Sequence, residues 1–517
     1  MDLIKCIRFF LLIFVCLLCC LSLSSVLRAQ TASVGGVIRD PSEQFVSGAK
    51  VTLQNTQTGI SREASTNDEG IFWFATVAPG PYAISVEREG FKAIHINDLT
   101  LTVNQSFTFE AHLELGPVAT TTEVRASELP LIDLDNAQIS NLVDSRRIQD
   151  LPLLTRNPYE LVLLNPGVIQ SNSTLGGFST NGTNERNNNF LLDGVDNNDT
   201  DVPGAPGGLN ALNPDSAQEF RVITNNYAPE YGRNDGAIIQ VLTRSGSNDL
   251  HGDVYWFGRY NALGARDFFN PASTGPQNPY VRNDFGASAG GPFVKDKAFW
   301  FVNYEGQRFI TTLTNTSVVP TPQFKTGQFT ATDPSTGAAV PIDVSTPSSP
   351  DNALGLPLDP TIQKILALYP APNGPAVIPG ISGTLFYPSV SRLQADSFTT
   401  RVDYNFSKTH LLSVRYSFNQ SSDPNFNHSD FLPNNLGGTS LYVRDQNASI
   451  GLTSTFNDRW INEFRFGGNR SHQEYGCDGA QLFNSLSQTD SLGVGADSIS
   501  PSANKMSADM TALAAST

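Results

Sequence analysis

The side chains best suited to catalysis are few and widely separated in this sequence. Each histidine occurs alone, and none belongs to an HExxH or HxxE arrangement, which a zinc peptidase needs to hold its metal. The six are His95, His112, His251, His410, His428 and His472. We also predict neither a serine-nucleophile elbow nor a phosphate-cradling glycine loop. The chain is therefore predicted not to be an enzyme and to need no cofactor.

The acid-rich segment Asp193–Asp201 is a second candidate for chemistry, because carboxylates at this density can bind calcium. An EF-hand loop needs a glycine at its sixth position and a closing glutamate, and this segment has neither. We favour the alternative of an Asx-turn cluster, in which short Asp and Asn side chains accept hydrogen bonds from nearby backbone N–H groups. No metal site is predicted here.

The bulk composition indicates a mainly β protein and excludes one class of partner. Of the 517 residues 16% are charged, against roughly 25% in soluble domains, and 10% are aromatic. Few charges, many aromatics and 42 glycines are typical of strands joined by long polar loops. A formal net charge of −16 repels phosphate backbones, so we predict no nucleic-acid partner.

The first 29 residues have the pattern of a secretory signal peptide. Lys5 and Arg8 form a positive start, and Phe9–Leu23 is an apolar run shorter than the roughly 20 residues of a spanning helix. We predict export and cleavage after Ala29. The alternatives are an uncleaved N-terminal anchor and a lipoprotein modified at one of the leader's cysteines.

The rest of the chain limits how it could enter a membrane. Cys477 is the one cysteine beyond the leader, so no internal disulfide framework is predicted. No later segment approaches the roughly 18 consecutive apolar residues of a spanning helix. An exported chain of this kind can enter a membrane only as a β-barrel, because every backbone polar group must be paired in lipid.

Residues 30–116 alternate apolar and polar positions over short stretches separated by turns. Tyr82, Ile84 and Val86 share one face of a predicted strand, and Thr66–Gly70 and Pro79–Gly80 are turn signals before it. About seven short strands in so short a segment favour a small Ig-like or prealbumin-like β-sandwich.

The same residues resemble a carboxypeptidase regulatory-like domain. Several motifs in the order of that family carry the resemblance: Gly36-Val37-Ile38-Arg39-Asp40, Gly48-Ala49-Lys50-Val51, Thr66–Gly70, Pro79-Gly80-Pro81-Tyr82 and Gly90-Phe91-Lys92. The resemblance implies a sandwich that carries no peptidase chemistry, despite the name of the family.

Residues 117–247 combine short helical and strand patterns. Ser145–Pro152 and Pro158–Leu161 predict helical turns around a proline break, whereas Phe190–Leu192 and Ile238–Thr243 predict strands. Short elements of both kinds favour a small α+β domain.

This stretch resembles the plug domain of TonB-dependent receptors, in particular the Oar-like group. The blocks that carry the resemblance are Leu191–Asn198, Gln218–Val222, Glu230–Arg233 and Val241–Gly246, followed by His251-Gly252 at the start of the barrel. The motif residues carried over as candidate site residues are Asn181, Gly182, Arg186, Asp193, Gly194, Glu219, Arg221, Glu230, Gly232 and Arg233. The resemblance implies that the domain packs inside a barrel, where Asn and Asp satisfy buried polar groups.

The segment between the sandwich and the plug is similar to a TonB box. Its residues are Thr121, Thr122, Glu123, Val124, Arg125 and Ala126. An extended segment can add as a strand to a partner's sheet, so that force is transmitted through main-chain hydrogen bonds. The alternative is a linker strand without a partner.

From residue 248 to 476 the pattern changes to long hairpins. Phe398–Phe406 pairs with Leu412–Phe418, and Ala448–Phe456 pairs with Trp460–Phe466, each with one apolar face that ends in aromatic residues. About ten residues per strand with this alternation is typical of an antiparallel transmembrane β-barrel. A soluble sandwich with one wet face is the alternative.

Two segments lie outside this barrel pattern. Residues 311–395 are rich in Pro, Thr and Ser and predict one long surface loop, and residues 477–517 are predicted to be an unpatterned tail. Receptors of the resembled family close about 22 strands, more than residues 248–476 can supply. The barrel is therefore predicted to be incomplete and the chain to be a fragment.

These features favour an energy-coupled outer-membrane receptor that takes up a ligand of unidentified chemistry. The resemblance implies three partners: the TonB energy-coupling complex, the lipids of the cell outer membrane and an extracellular ligand. The alternative is a surface structural or adhesion protein that uses the sandwich as an interaction module. A soluble regulatory-domain peptidase is disfavoured by the missing metal ligands.

Overall fold

A computed structural model of the chain describes residues 31–116, 121–125, 138–153, 155–171, 176–199, 204–228, 231–232, 234–266, 277, 279–333, 335–426, 439–457, 460–477 and 505–516. At residues 121–125, 457, 477 and 505–516 only the backbone is described. The predicted signal peptide, residues 1–29, lies outside the described residues.

The N-terminal part folds as a β-sandwich, as predicted. Its strands are β1 (Ala32–Arg39), β2 (Lys50–Asn55), β3 (Ser61–Ser65), β4 (Ile71–Val77), β5 (Gly80–Glu87), β6 (Ala93–Leu101) and β7 (Ser106–His112). One sheet has the order β4-β1-β7, and the other runs β3-β2-β5-β6 and continues into one further strand. The buried residues of both sheets form a single core.

Two-residue alternation explains how these strands build that core. On β5, Tyr82, Ile84 and Val86 are buried while their neighbours are partly exposed. Phe72 of β4 meets Phe109 of β7 edge to face, with ring centroids 5.5 Å apart. Burial of each such side chain stabilises the fold by roughly 1.5–3 kcal/mol, so the aromatic strands account for much of the stability of the sandwich.

The segment similar to a TonB box is the further strand of the second sheet. It forms β8 (Thr121–Arg125) and pairs in parallel with β6, from Ala93 opposite Thr121 to Asn97 opposite Arg125. Its backbone is therefore extended, as strand addition requires. The last residue of the predicted segment, Ala126, lies outside the described residues.

The plug region is a small α+β domain, in agreement with the prediction. Its elements are β9 (Ile139–Val143), α1 (Ser145–Asp150), β10 (Val168–Gln170), β11 (Phe178–Thr180), β12 (Asn189–Leu192), β13 (Val195–Asp196), β14 (Ala217–Asn225) and β15 (Ile238–Thr243), with short 3-10 helices at Pro158–Leu164 and Glu185–Asn187. Five strands form a sheet in the order β13-β12-β15-β14-β9. The fully buried Tyr159 packs edge to face on Phe190 and Phe220, which fixes the 3-10 helix over this sheet.

A large antiparallel sheet follows the plug. Its strands are β16 (His251–Tyr260), β17 (Tyr280–Val294), β18 (Ala298–Pro320), β22 (Ser382–Ser407), β23 (His410–Asp423), β24 (Thr439–Asn457), β25 (Trp460–Cys477) and β26 (Lys505–Ser516), with a 3-10 helix at Asn261–Leu263 after β16. They pair in chain order, and β21 (Ala376–Ile378) pairs with β22. Among the described residues β16 and β26 do not pair with each other, so the sheet is not closed.

The predicted hairpins occur with the predicted parity. Phe398 lies opposite Phe418, and Ile450 lies opposite Phe466. The apolar face of these strands points outward, with Phe406 57% and Trp460 71% exposed. The opposite face carries polar residues that are buried against the plug, which is the arrangement of an outer-membrane barrel rather than of a soluble sandwich.

The prediction of one long loop at 311–395 was wrong. β18 and β22 continue their pairing through Thr311 opposite Ser391 to Pro320 opposite Ser382. Threonine was part of the composition that suggested a loop, but as a β-branched residue it also favours strands. Between β18 and β22 lies a structured insertion. It contains α2 (Pro322–Lys325), β19 (Gln328–Thr332), β20 (Ala339–Asp343), α3 (Pro360–Leu368) and β21.

The prediction of an unpatterned tail at 477–517 was also wrong in part. β26 pairs with β25 from Gly476 opposite Lys505 to Arg465 opposite Ser516. Small residues dominate this strand, and alanine and serine give a weak alternation signal. Only Met506, Met510 and Leu513 are large and apolar, which explains why the strand was missed.

The two ends of the large sheet differ. The turns after β17, β22 and β24 are short, whereas the insertion after β18 lies at the opposite end. The sandwich contacts the short-turn end, where Asn248 N–H donates to the Gln57 carbonyl at 2.9 Å and Arg62 Nη2 donates to Thr455 Oγ1 at 3.4 Å. In outer-membrane barrels the short turns face the periplasm. Within the described residues, no helix is sufficiently long and apolar to cross a membrane.

Candidate functional site at the plug

The sharpest turn of the plug holds two of the predicted motif residues. Asp193 and Gly194 join β12 to β13 with φ values of 48° and 80°, and Leu192 pairs with Val195 on either side. An Asp-Gly pair with positive φ at both positions is typical of a type I′ hairpin turn. The turn places the Asp193 carboxylate beside the end of β15, where Thr243 N–H and Thr243 Oγ1 donate to it at 2.9 and 2.8 Å.

The same turn meets arginines from the large sheet. Arg415 Nε lies 2.7 Å from Asp193 Oδ2, and Arg401 Nη1 lies 3.6 Å from Asp193 Oδ1. Arg465 donates to the Asp193 carbonyl, and a Cβ on Gly194 would overlap with the same guanidinium. Glycine at position 194 therefore allows the close approach of this third arginine.

The charge of Asp193 is stabilised by this contact. Burial alone would raise the pKa of the carboxyl group, but Arg415 and Arg401, with the two hydrogen bonds from Thr243, outweigh burial and lower it. The Arg415 side chain is 2% exposed and that of Asp193 is 12% exposed. The site is thus a buried ion cluster between the plug and the inner face of the sheet.

Glu219 and Arg221 lie on another face of the plug, in contact with the sandwich. Glu219 Oε1 accepts from Val103 N–H at 2.6 Å, and Arg221 donates to Ser140 and Thr102 at 2.9 and 3.1 Å. Burial raises the pKa of Glu219 to about 7, against the opposing effects of the Val103 hydrogen bond and of Arg221. A carboxyl group with this pKa changes its charge near neutral pH.

The remaining motif residues do not join either contact. Asn181 and Gly182 form a positive-φ turn in which Asn181 Nδ2 donates to the Thr224 carbonyl at 2.9 Å, and Arg186 is exposed on the 3-10 helix that follows. Gly232 is exposed beside the buried Tyr231. Glu230 and Arg233 lie outside the described residues.

The acid-rich segment after Asp193 forms an Asx turn. Asp196 Oδ1 accepts from Asn198 N–H at 2.8 Å, and Asn198 Oδ1 accepts from Phe190 N–H at 2.9 Å. These side chains bind backbone amides, as an Asx-turn cluster does. Within the described residues, one group could offer three ligands to a metal: Glu43, Glu110 and His112, all exposed, with Arg39 Nε already 2.5 Å from Glu110.

A polar cavity of about 360 Å³ lies on the side of the plug that faces the insertion end of the sheet. Amide, hydroxyl and carboxylate side chains dominate its wall. They are Thr155, Asn157, Asn213, Glu305, Gln307, Asp396, Ser397, Asn419, Gln420, Ser421 and Asp445. Among the described residues of the wall one side chain is basic, Arg156, which pairs with Asp215 at 2.6 Å and Glu305 at 2.9 Å.

One segment of β17 has the Gly-x-Ser-x-Gly spacing of a serine-nucleophile elbow, although we predicted no elbow. It runs from Gly286 to Gly290, and Ser288 donates to Asp253 on the neighbouring strand. An elbow places its serine at a sharp turn between a strand and a helix. Here the serine lies within a regular strand, so the spacing does not mark an active site.

Sequence reasoning missed the partners of the motif residues. The alternation of the predicted strands places Arg401 and Arg465 on polar faces without giving them a role, and Arg415 and Asn104 were not singled out. The arginines had one available signal: they are charged residues on the polar face of predicted barrel strands, and that face would meet the predicted plug. Asn104 had no comparable signal, because its contact depends on how the sandwich and the plug dock.

Three protein families match consecutive parts of the chain. They are a carboxypeptidase regulatory-like domain at residues 33–114, a TonB-dependent receptor plug domain at 133–237 and an outer membrane beta barrel domain at 242–516. The last match covers more than half of the chain. All three descriptions agree with the predicted order of sandwich, plug and barrel.

Individual proteins are also similar. The TonB-dependent transporter Oar of Myxococcus xanthus is 29% identical over 296 residues, which cover 54% of this chain and 27% of that protein. The chain thus spans about a quarter of the length of this curated relative.

Two solved structures share a distant likeness to the chain. The outer membrane transporter YddB from Escherichia coli is 12% identical with a TM-score of 0.43, covering 66% of this chain and 40% of that one. The siderophore receptor PirA from Acinetobacter baumannii is 13% identical with a TM-score of 0.34, covering 72% and 53%. Both TM-scores are too low to bear on function.

The matched families name a receptor and its barrel, which agrees with the prediction that the chain is not an enzyme. The barrel match places the protein in the outer membrane. The chain belongs to the family of TonB-dependent outer-membrane receptors, with a carboxypeptidase regulatory-like domain, a plug domain and an outer-membrane β-barrel domain in that order.

Proposed function

We propose that the protein is exported by a cleaved signal peptide, residues 1–29, and acts as an energy-coupled transporter of the outer membrane. The observation that supports transport most directly is the buried ion cluster of Asp193 with Arg401 and Arg415. It joins the plug to the inner face of the barrel sheet by side-chain contacts. Such contacts can be broken and remade, as a movable plug requires.

The segment Thr121–Ala126 is proposed as the site at which the TonB complex pulls. Its backbone at 121–125 is already extended and pairs as a strand with β6, which supports a segment able to add to another sheet. The sandwich lies at the short-turn end of the barrel, the periplasmic end in this family of folds. The segment is therefore on the side from which TonB would reach it.

Deleting Thr121–Ala126 should abolish binding of the purified periplasmic domain of TonB. The deletion removes the strand that would pair with the partner, so we expect no detectable binding in a surface plasmon resonance measurement. The amount of protein in the outer-membrane fraction should not change, because insertion depends on the barrel strands.

A matched deletion of residues 127–132 shortens the same connection by as many residues and keeps the segment, so it should retain binding. Binding that survives the deletion of Thr121–Ala126 would make the segment a linker strand. If the protein then mediates attachment without TonB, the adhesion hypothesis replaces transport.

The ligand is proposed to contact the polar cavity on the insertion side of the plug. Glu305 of the wall pairs with Arg156 at 2.9 Å and Asp396 pairs with Arg308 at 3.0 Å, whereas Asp445 has no ion pair among the described residues. The described wall therefore holds no unpaired cation and one unpaired carboxylate, so it disfavours anions, and it offers many hydrogen-bonding groups. We therefore infer an uncharged or cationic hydrogen-bonding ligand rather than an anionic chelate.

Calorimetric titration of the full chain should distinguish these ligand classes. An uncharged oligosaccharide and a basic peptide test the two favoured classes, and a ferric tris-catecholate tests the anionic one. Binding of the ferric chelate with an affinity that Asp445→Asn leaves unchanged would contradict the proposed charge preference.

A further inference from the structure

The turn that ends β6 is built to project one side chain. In Thr102–Gln105, Gln105 N–H donates to the Thr102 carbonyl at 3.2 Å, and Gln105 Oε1 accepts from Thr102 N–H at 2.9 Å. Asn104 takes a φ of 56°, which asparagine tolerates better than most residues. The turn is therefore held from within, and Asn104 is free to point away from the sandwich.

Asn104 contacts two buried side chains of the plug. Its Nδ2 donates to Tyr231 Oη at 2.6 Å and to Gln240 Oε1 at 2.7 Å, and Gln240 Nε2 donates to Tyr231 Oη at 2.8 Å. The three side chains thus form a closed ring. Tyr231 is 7% and Gln240 2% exposed, so the plug side of the ring is shielded from water, while Asn104 is half-buried.

A second contact lies beside the ring. Val103 N–H donates to Glu219 Oε1 at 2.6 Å, and both residues are buried. Arg221 Nη2 donates to Thr102 Oγ1 at 3.1 Å. Three consecutive residues of one sandwich turn, Thr102 to Asn104, therefore bind side chains of the plug.

The plug residues concerned need these partners. Gln240 lies in β15, all of whose residues are buried, and a buried amide or carboxyl group without a hydrogen-bond partner destabilises its surroundings. Loss of the turn would expose this part of the plug or leave its polar atoms unpaired. The turn thus completes the polar face of the plug.

We propose that the sandwich is a docking module that retains the plug, and that Asn104 is the residue that positions it. The interaction surface is the turn Thr102–Gln105, and its partner is the plug face formed by Glu219, Arg221, Tyr231 and Gln240. This gives the sandwich a role within the chain that is separate from ligand binding or TonB binding.

The contact between the turn Thr102–Gln105 and the plug face is called the dock. It has a consequence that rests on the proposed function. β6 carries β8 along its edge and ends in the docking turn. The coupling segment and the plug are therefore attached to the same strand. A pull that displaces β8 from β6 therefore acts on the strand that leads into the contact with the plug.

Hydrogen exchange of the full chain tests the dock in the absence of TonB and ligand. In Asn104→Gly the positive φ remains accessible while the amide is lost, and Asn104→Asp keeps an acceptor but cannot donate to Gln240. Both variants should speed exchange of the Val103 amide about tenfold, the effect of losing about one buried hydrogen bond. Exchange in β2 and β5 should not change, because the sandwich core is untouched.

Asn67→Ala is the matched control, since it alters an exposed asparagine turn of the sandwich that does not contact the plug in the described contacts. It should leave exchange at Val103 unchanged. In a Gln240→Met background, Asn104→Gly should speed exchange of the Val103 amide by a smaller factor than in the wild-type chain, because part of the ring is already lost.

Wild-type exchange rates at Val103 in Asn104→Gly would overturn the dock, as would faster exchange throughout β2 and β5, which would indicate that the variant unfolds the sandwich. The measurement involves neither TonB nor ligand. Its failure is therefore distinguishable from a failure of the transport hypothesis.

Discussion

Replacing Asp193 by asparagine should lower the free energy of unfolding by about 3–5 kcal/mol, the usual effect of breaking a buried ion pair. Arg401 would retain Asp403 at 3.0 Å, but the other described partners of Arg415 are the uncharged Ser417 and Asn447. The variant therefore leaves a buried guanidinium without a carboxylate. Urea denaturation of the detergent-solubilised protein at pH 7, followed by tryptophan fluorescence, measures the change.

The pH dependence gives an independent test of the same cluster. The pKa of Asp193 is lower in the folded protein than in the unfolded chain, so its stabilisation is present above the ordinary carboxyl range. It is lost as the pH falls through the folded pKa. The Asp193→Asn variant should therefore lose less stability on acidification than the wild-type protein does.

Asp196→Asn is a suitable control for this experiment. It removes a carboxylate three residues away on the same segment, and an asparagine oxygen can still accept from Asn198 N–H. Its stability at pH 7 should change by less than about 1 kcal/mol, as is usual for substitutions that keep a hydrogen bond. An equally small change for Asp193→Asn would mean that the arginines do not depend on this carboxylate.

The barrel hairpins could be predicted because their information is local. Phe398 to Phe406 and the returning strand share one parity, and a two-residue period decides which face is apolar without knowledge of the rest of the chain. The Asp-Gly turn at 193–194 is equally local, since the positive φ of both residues follows from their types. Fold class and domain order could therefore be predicted from such short-range patterns together with the family resemblance.

The functional contacts could not be predicted in the same way. Asp193 and Arg415 are more than 200 residues apart, and either one alone has the pattern of a solvated or lumen-facing charge. The parallel pairing of β8 with β6 and the contact of Asn104 with Gln240 also depend on three-dimensional docking. The resemblance singled out Asp193. For Arg415 the available signal was charge on the polar face of a predicted strand, and for the contact of Asn104 with Gln240 there was none.

The second large expected effect on stability concerns Glu219, whose pH dependence is opposite to that of Asp193. Burial raises the pKa of Glu219 to about 7, so the folded protein binds this proton more tightly than the unfolded chain does. The contribution to stability is greatest below the ordinary glutamate pKa and is lost as the pH rises from there through 7. A shift of this size corresponds to about 3 kcal/mol between pH 4 and pH 8.

Glu219→Gln should therefore stabilise the protein by about 3 kcal/mol at pH 8 and by much less at pH 5. The amide oxygen can still accept from Val103 N–H, so the variant removes the buried charge and keeps the dock. Denaturation midpoints at the two pH values, compared with the wild-type protein, give the difference. Among the described residues the charged groups that affect Glu219 are Arg221 and Asp144, and neither is altered by this substitution.

Glu160→Gln controls for the loss of one negative charge, since it removes a half-buried carboxylate from a 3-10 helix of the same plug and keeps an oxygen that can accept from Thr155 Oγ1. It should change stability by less than about 0.5 kcal/mol at either pH, as surface substitutions usually do. Equal stability of Glu219→Gln and the wild-type protein at pH 8 would show that ionisation of Glu219 does not lower the free energy of unfolding. The carboxylate would then have to be solvated, and the close contact between the docking turn and the plug could not be maintained in solution.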